Sequence, residues 1–145
     1  MQVNGTNRAA LAQIVFCRGC CCGREDRGFP AVPVERLKAV WKAERLNSTV
    51  QLTISGCLGP CDRANVALIL TPSGLEWYGD LSEPADFDAA IEWVRECRAA
   101  NQLLPRPATW ESRRFVRFPD ESNGSACAVR LDEDWFPEPI TAVTS

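Results

Sequence analysis

Eight cysteines and no histidine in 145 residues leave any inner-sphere chemistry of this chain to sulfur. Four of those cysteines, Cys17, Cys20, Cys21 and Cys22, crowd into the stretch CRGCCC; two more, Cys57 and Cys61, form a C-x3-C pair in GCLGPCDRA. Cys17 and Cys22 likewise make a C-x4-C pair. Short spacings of this kind give two sulfurs the bite to hold one metal ion, and a C-x-x-C such as Cys17–Cys20 can also cycle between dithiol and disulfide. Without imidazole, Ser-His-Asp and Cys-His nucleophile systems, mixed cysteine–histidine zinc sites and Rieske ligation are all excluded.

Composition narrows the choice further. Eight cysteines could staple a secreted domain, but the N-terminal MQVNGTNRAALAQIVF lacks the basic region, long apolar core and cleavage site of an export signal. The chain is therefore expected to be cytoplasmic, where clustered cysteines bind metal or carry out redox chemistry, and the sequons at Asn4, Asn47 and Asn123 carry no meaning. No apolar stretch reaches membrane-spanning length, so no membrane partner is expected. A net charge of -3 with arginines and acids interspersed offers no basic stripe for phosphates, and nucleic acid is not expected as a partner.

The elements that must position the sulfurs can be read in order. LAQIVF (residues 11–16) is an apolar run expected as a buried strand that ends at Cys17. After Pro33, the spacing of Val34, Leu37, Val40 and Trp41 predicts a helix. TVQLTIS, NVALIL and LEWYGDL (49–55, 65–70 and 75–81) predict three strands, the last two joined by the turn sequence TPSG. Phe87, Ala90, Ile91, Val94 and Cys97 form one apolar face of a second helix, with Ser82 or Asp86 as its expected cap. The result is an α/β layered domain over residues 11–104, with a four-stranded sheet and two main helices, behind an N-terminal tail (1–10). Residues 105–145 form a C-terminal extension in which RRFVRF and ACAVRL are expected to pair as strands across PDESNG.

Loops that leave the same end of adjacent strands, about 4.8 Å apart, can bring four sulfurs into one site. Four thiolates around a two-iron, two-sulfide core make a dianionic centre that becomes trianionic on reduction, so such a site calls for hydrogen bonds to sulfur. Gly19, Gly23, Gly56 and Gly59 would let backbone N–H groups approach, and Arg18, Arg24, Arg27 and Arg63 add positive charge.

These stretches, CRGCCC, SGCLGPCDRANVALIL and GLEWYGDL, resemble the thioredoxin-like 2Fe-2S ferredoxin family, which includes the small iron-sulfur subunit of respiratory NADH dehydrogenase. The likeness covers roughly residues 13–100. It implies a thioredoxin-like fold with a mixed sheet, one 2Fe-2S cluster, and electron transport in place of substrate turnover. It assigns Cys17, Cys22, Cys57 and Cys61 as the metal ligands. It further implies redox protein partners, a reductase and an electron-accepting enzyme, and admits a homodimer. The additional Cys20 and Cys21 depart from the family pattern, and either could replace Cys22 as second ligand.

Two other readings of the same residues stand beside this one. Cys17, Cys20, Cys57 and Cys61 could hold a structural zinc, and Cys17 with Cys20 could form the dithiol of a thioredoxin-like thiol-disulfide oxidoreductase. Cys97 is expected in the core and Cys127 as a lone small residue in the extension. Glu83, Asp86, Asp88, Glu92 and Glu96 could guide a basic partner, although a solvated helix face is the commoner meaning of such a run.

Overall fold

The computed structural model describes residues 4–119 of the chain. Five strands, β1 (Ala12–Cys17), β2 (Val50–Ser55), β3 (Ala67–Thr71), β4 (Gly74–Tyr78) and β5 (Arg114–Phe115), form one mixed sheet in the order β2-β1-β3-β4-β5. The two main helices are α1 (Val34–Glu44) and α2 (Pro84–Ala100). Patterning explains the strand positions. β1, buried at every residue except Gln13, is central, parallel to β2 and antiparallel to β3. β2 alternates apolar and polar residues and takes the half-exposed edge. A parallel neighbour requires a crossover connection, and α1 supplies it between β1 and β2. β3 and β4 form the expected hairpin, closing at the Thr71–Gly74 pair.

Strand alternation sorts the side chains onto two unequal faces. Ile14, Phe16, Ala67, Ile69 and Tyr78 join Leu37 and Trp41 of α1 and Phe87, Ala90, Ile91, Val94 and Cys97 of α2 in the main core, so both helices cover one face. On the opposite face Cys17, Cys22, Val66 and Trp77 form a small second cluster, flanked by Leu58, Leu68 and Phe115. Cys17 is therefore the residue at which β1 delivers a thiol to the helix-free side.

Three differences from the sequence reading have physical causes. The sheet has five strands where four were expected, because Arg114 and Phe115 pair with Tyr78 and Trp77 along the β4 edge and cover its unpaired backbone groups. The first compact unit runs to Phe115, and the second comprises Val116–Ser145. Residues 105–115 join the first unit because Trp110 is fully buried against Phe16 and Tyr78, its indole N–H donating to Asp86 O at 2.9 Å. Finally, α2 is capped by Glu83 and not Ser82; Asp86 reaches back to accept the N–H groups of Ser82 and Glu83 at 3.0 and 2.9 Å. The ACAVRL strand and Cys127 lie outside the described residues. Among the described residues no helix is long and apolar enough to cross a membrane.

Candidate metal centre

The strand order itself drives the cysteines together. β2 and β3 flank β1, so the connection between them, residues 56–66, must pass over the end of β1 where Cys17 emerges. Register fixes the meeting point: Cys17 lies opposite Ser55, and Phe16 opposite Ala67. Cys17 N–H donates to Val66 O at 3.0 Å and Arg18 N–H to Ser55 O at 2.9 Å, so the start of the first cysteine loop is tied to both arms of the second. At Gly19 the loops touch. A Cβ there would stand 2.7 Å from Cys57 Cα, closer than side-chain packing permits.

The sulfurs fall into two neighbouring groups. Cys17 and Cys22 are 3% and 2% exposed, in thiol–thiol contact on the inner side. Outside them, Cys57 Sγ is 3.3 Å from Cys61 Sγ, Cys20 Sγ is 3.5 Å from Cys61 Sγ, and Cys21 Sγ is 3.9 Å from Cys20 Sγ. Cys20, Cys57 and Cys61 lie mutually within 4.8 Å, the closest metal-ligating trio among the described residues. Cys17, Cys21, Cys22, Cys57 and Cys61 wall one small recess with Gly59, Pro60 and Val66. The four residues expected as ligands thus line one recess together with Cys21, and Cys20 borders it.

Backbone N–H groups point at the inner sulfurs. Val66 N–H donates to Cys22 Sγ at 3.4 Å, while those of Leu58 and Gly19 serve Cys17. Of the four glycines expected to allow close approach, Gly19 does so against the second loop, and Gly23 and Gly59 supply positive-φ turns at 74° and 115°. Gly56 faces open space.

Asn65, which sequence reasoning passed over, holds this arrangement. Its side chain is buried; Oδ1 accepts Gly23 N–H at 2.8 Å, and Nδ2 donates to Pro30 O at 2.9 Å and Leu81 O at 3.0 Å. One amide thereby ties both ends of the segment after Cys22 to the sheet, one residue from the N–H that serves Cys22. Only its place beside the apolar run of β3 could have signalled this, because asparagine at a strand start usually reads as turn chemistry.

In the free-thiol form the sulfurs share protons. Cys22 donates to Cys17 and, with help from the Leu58 and Gly19 N–H groups against the effect of burial, holds it down to about 7; the Cys22 thiol is pushed far above its ordinary range by that same bond and by burial. Contact with Cys61, then with Cys21 and Cys57, lowers Cys20. Cys57 and then Cys20 push Cys61 up to about 12. The arginines are less free than their number suggests: Arg24 pairs with Asp26 at 2.7 Å and Arg63 with Asp80 at 3.2 Å, while Arg27 donates to Cys20 O at 3.2 Å.

The remaining cysteine of the described residues, Cys97, is fully buried on α2 as expected. The acids of that helix are largely committed elsewhere: Asp86 is buried, Asp88 pairs with Arg36, and Glu92 pairs with Arg95 at 3.1 Å.

No family model matches the chain, and no curated protein does. Among solved structures, it is similar to the wild-type thioredoxin-like 2Fe-2S ferredoxin from Aquifex aeolicus, at 23% identity and a TM-score of 0.41 over 75% of this chain and 100% of that one. A cysteine-to-serine variant of the same ferredoxin aligns at 19% identity and a TM-score of 0.41, covering 73% of this chain and 99% of its own.

Proposed function

We propose that this chain is a one-electron carrier of the 2Fe-2S ferredoxin type, with Cys17, Cys22, Cys57 and Cys61 holding a single cluster. The observation that carries the reading is the meeting of these four thiols at the end of β1, in two close pairs, one from each loop. Such a cluster, when bound, takes up and releases one electron at a potential set by ligation, hydrogen bonding and solvent access.

The donor set fits it. All candidate ligands are sulfur, two per iron, and the inner pair is already served by N–H donors from Gly19, Leu58 and Val66. Those N–H groups favour negative charge on Cys17 and Cys22, which is the state ligation requires. Burial of Cys17 and Cys22 against Val66 and Trp77 keeps water from the inner side, while Cys57 at the surface leaves the outer side within reach of a partner. Asn65 ties the first loop to the sheet, and Gly19 lets the two loops approach closely. The partners are a reductase and an electron-accepting enzyme of the cytoplasm, and a homodimer is compatible with the half-exposed β2 edge.

The test is anaerobic reconstitution of the full chain with iron and sulfide. The expected product is reddish brown, with iron and acid-labile sulfide in equal amounts at two each per chain, and it shows an S = ½ resonance after one-electron reduction. A chain that stays colourless and retains no sulfide under these conditions would refute the proposal.

A further inference from the structure

Cys20 and Cys21 are outside the ligand set proposed above, yet Cys20 stands against Cys61 and Cys21 against Cys20. With Cys57 and Cys61 they make a second sulfur set on the outer side of the same loops. Four thiolates around a tetrahedral zinc at about 2.3 Å lie about 3.8 Å from one another. Among these four, the Cys57–Cys61, Cys20–Cys61 and Cys20–Cys21 separations are 3.3, 3.5 and 3.9 Å, and Cys20, Cys57 and Cys61 are all within 4.8 Å of one another. Three of the outer thiols, Cys20, Cys57 and Cys61, are therefore already spaced to share one zinc ion, with Cys21 adjacent to Cys20.

We propose that Cys20, Cys57 and Cys61, with Cys21 as fourth donor, form a zinc site that overlaps the cluster site and excludes it. Zinc binding exchanges S–H for Zn–S bonds: each thiol proton passes to solvent, the metal stays divalent, and no oxidant or reductant takes part. Soft thiolate donors select zinc over magnesium or calcium. Access favours the outer set, because Cys20 and Cys57 are exposed while Cys17 and Cys22 are buried. An ion arriving from solvent meets three sulfurs without opening the fold. Since Cys57 and Cys61 belong to both sets, one chain cannot hold zinc and the cluster together; this exclusion rests on the function proposed above, whereas zinc binding by the outer set does not.

Two measurements on the full chain in a Cys127→Ser background keep these separate. The first is zinc binding to reduced, metal-free protein by competition with a chromophoric chelator, with Cd2+ as a probe through its thiolate ultraviolet band. One zinc per chain is expected for the parent, unchanged within a factor of about three in Cys17→Ser and Cys22→Ser; it is weakened at least about tenfold in Cys20→Ser and more in Cys57→Ser and Cys61→Ser. Cys20→His, which keeps a zinc donor, restores binding. Cys20→Ser binding zinc like the parent, or Cys22→Ser losing it, overturns the outer site, as does a parent that binds no more tightly than Cys57→Ser. Circular dichroism of the exposed Cys20→Ser variant separates loss of a ligand from loss of fold. The second measurement is zinc uptake by reconstituted protein, expected only as the visible absorption disappears. Uptake with full retention of colour overturns the exclusion, whereas failure of the parent and of Cys20→Ser to reconstitute strikes at the ferredoxin reading and leaves the zinc result standing.

Discussion

Cys22 and Cys97 are two buried thiols, 2% and 0% exposed, and each accepts a backbone N–H at 3.4 Å, from Val66 and Leu104 respectively. They lie on opposite sides of the sheet. Cys97 belongs to the helix-covered core, where it is a small apolar side chain whose ionisation burial disfavours. Cys22 belongs to the small cluster at the end of β1 and touches Cys17, with four further cysteines beside it. Burial and an N–H donor are common to both, so neither distinguishes a ligand from a core residue. What sets Cys22 apart is the convergence of sulfur around it, which the chain achieves by passing the β2–β3 connection over a strand that ends in cysteine.

The largest contrast follows directly. Cys22→Ser, Cys57→Ser or Cys61→Ser is expected to abolish the reconstituted visible spectrum, whereas Cys97→Ser keeps it and costs about 1–3 kcal/mol of stability as a hydroxyl replaces a thiol in an apolar site. Iron content and chemical denaturation of the same samples read the two effects apart. A bleached Cys97→Ser that remains folded would break the comparison.

Asn65 links the two faces: two of its three side-chain bonds fix the segment after Cys22, at Gly23 and Pro30, and the third reaches Leu81 O beside the helix-covered core. Asn65→Ala leaves one N–H and two carbonyls without their partner, an expected cost of about 2–4 kcal/mol. Asn65→Asp keeps the acceptor for Gly23 and loses the donors. If the amide positions Cys22, both variants shift the reduction potential and the reduced-state resonance, with Asn65→Asp closer to the parent. Equal destabilisation with an unmoved potential would reduce Asn65 to a structural tie.

Gly19 and Gly56 flank the same site with opposite surroundings, one against Cys57 and the other in open space. Gly19→Ala is expected to cost about 1–3 kcal/mol by forcing the loops apart and to hasten loss of iron. Gly56→Ala stays within about 0.5 kcal/mol of the parent. Thermal melts of the two reconstituted variants check this pair.

Much of this architecture was legible from residue patterns. The apolar run ending at Cys17 read as a buried strand and proved central; the intervals of Leu37 and Trp41, and of Phe87, Ile91 and Val94, marked the helix faces that fill the core. What patterns could not convey is tertiary. Trp110, a lone tryptophan after a proline-broken stretch, has no period to mark it as core; it is Phe16 and Tyr78 that claim it. A strand in RRFVRF was legible, but its pairing of Arg114 and Phe115 with Tyr78 and Trp77 of β4 was not. At the site, C-x4-C and C-x3-C spacing gave the pairs, but sequence spacing alone could not tell that Cys20 and Cys21 lie beside the second loop while Cys22 turns inward. That depends on the positive-φ turn at Gly23 and on the hold of Asn65 upon it.

The smallest expected effect is kinetic and concerns Cys20 against its neighbour Cys21 in metal-free protein. Cys20 is exposed and its thiolate accepts from Cys61 first, then Cys21 and Cys57, which lowers its pKa; Cys21 is half-buried, and burial followed by contact with Cys20 raises its pKa. Alkylation proceeds through the thiolate. Below the ordinary thiol range Cys20 therefore carries more thiolate than a free cysteine and Cys21 less, so labelling of Cys20 leads. The lead narrows as pH rises and Cys21 ionises in turn. Mass spectrometry of briefly alkylated, reduced protein across pH 6 to 10 measures the ratio, and unfolding in denaturant is expected to remove it. A ratio independent of pH in the folded protein would mean that access, and not shared protons among the outer thiols, sets their reactivity.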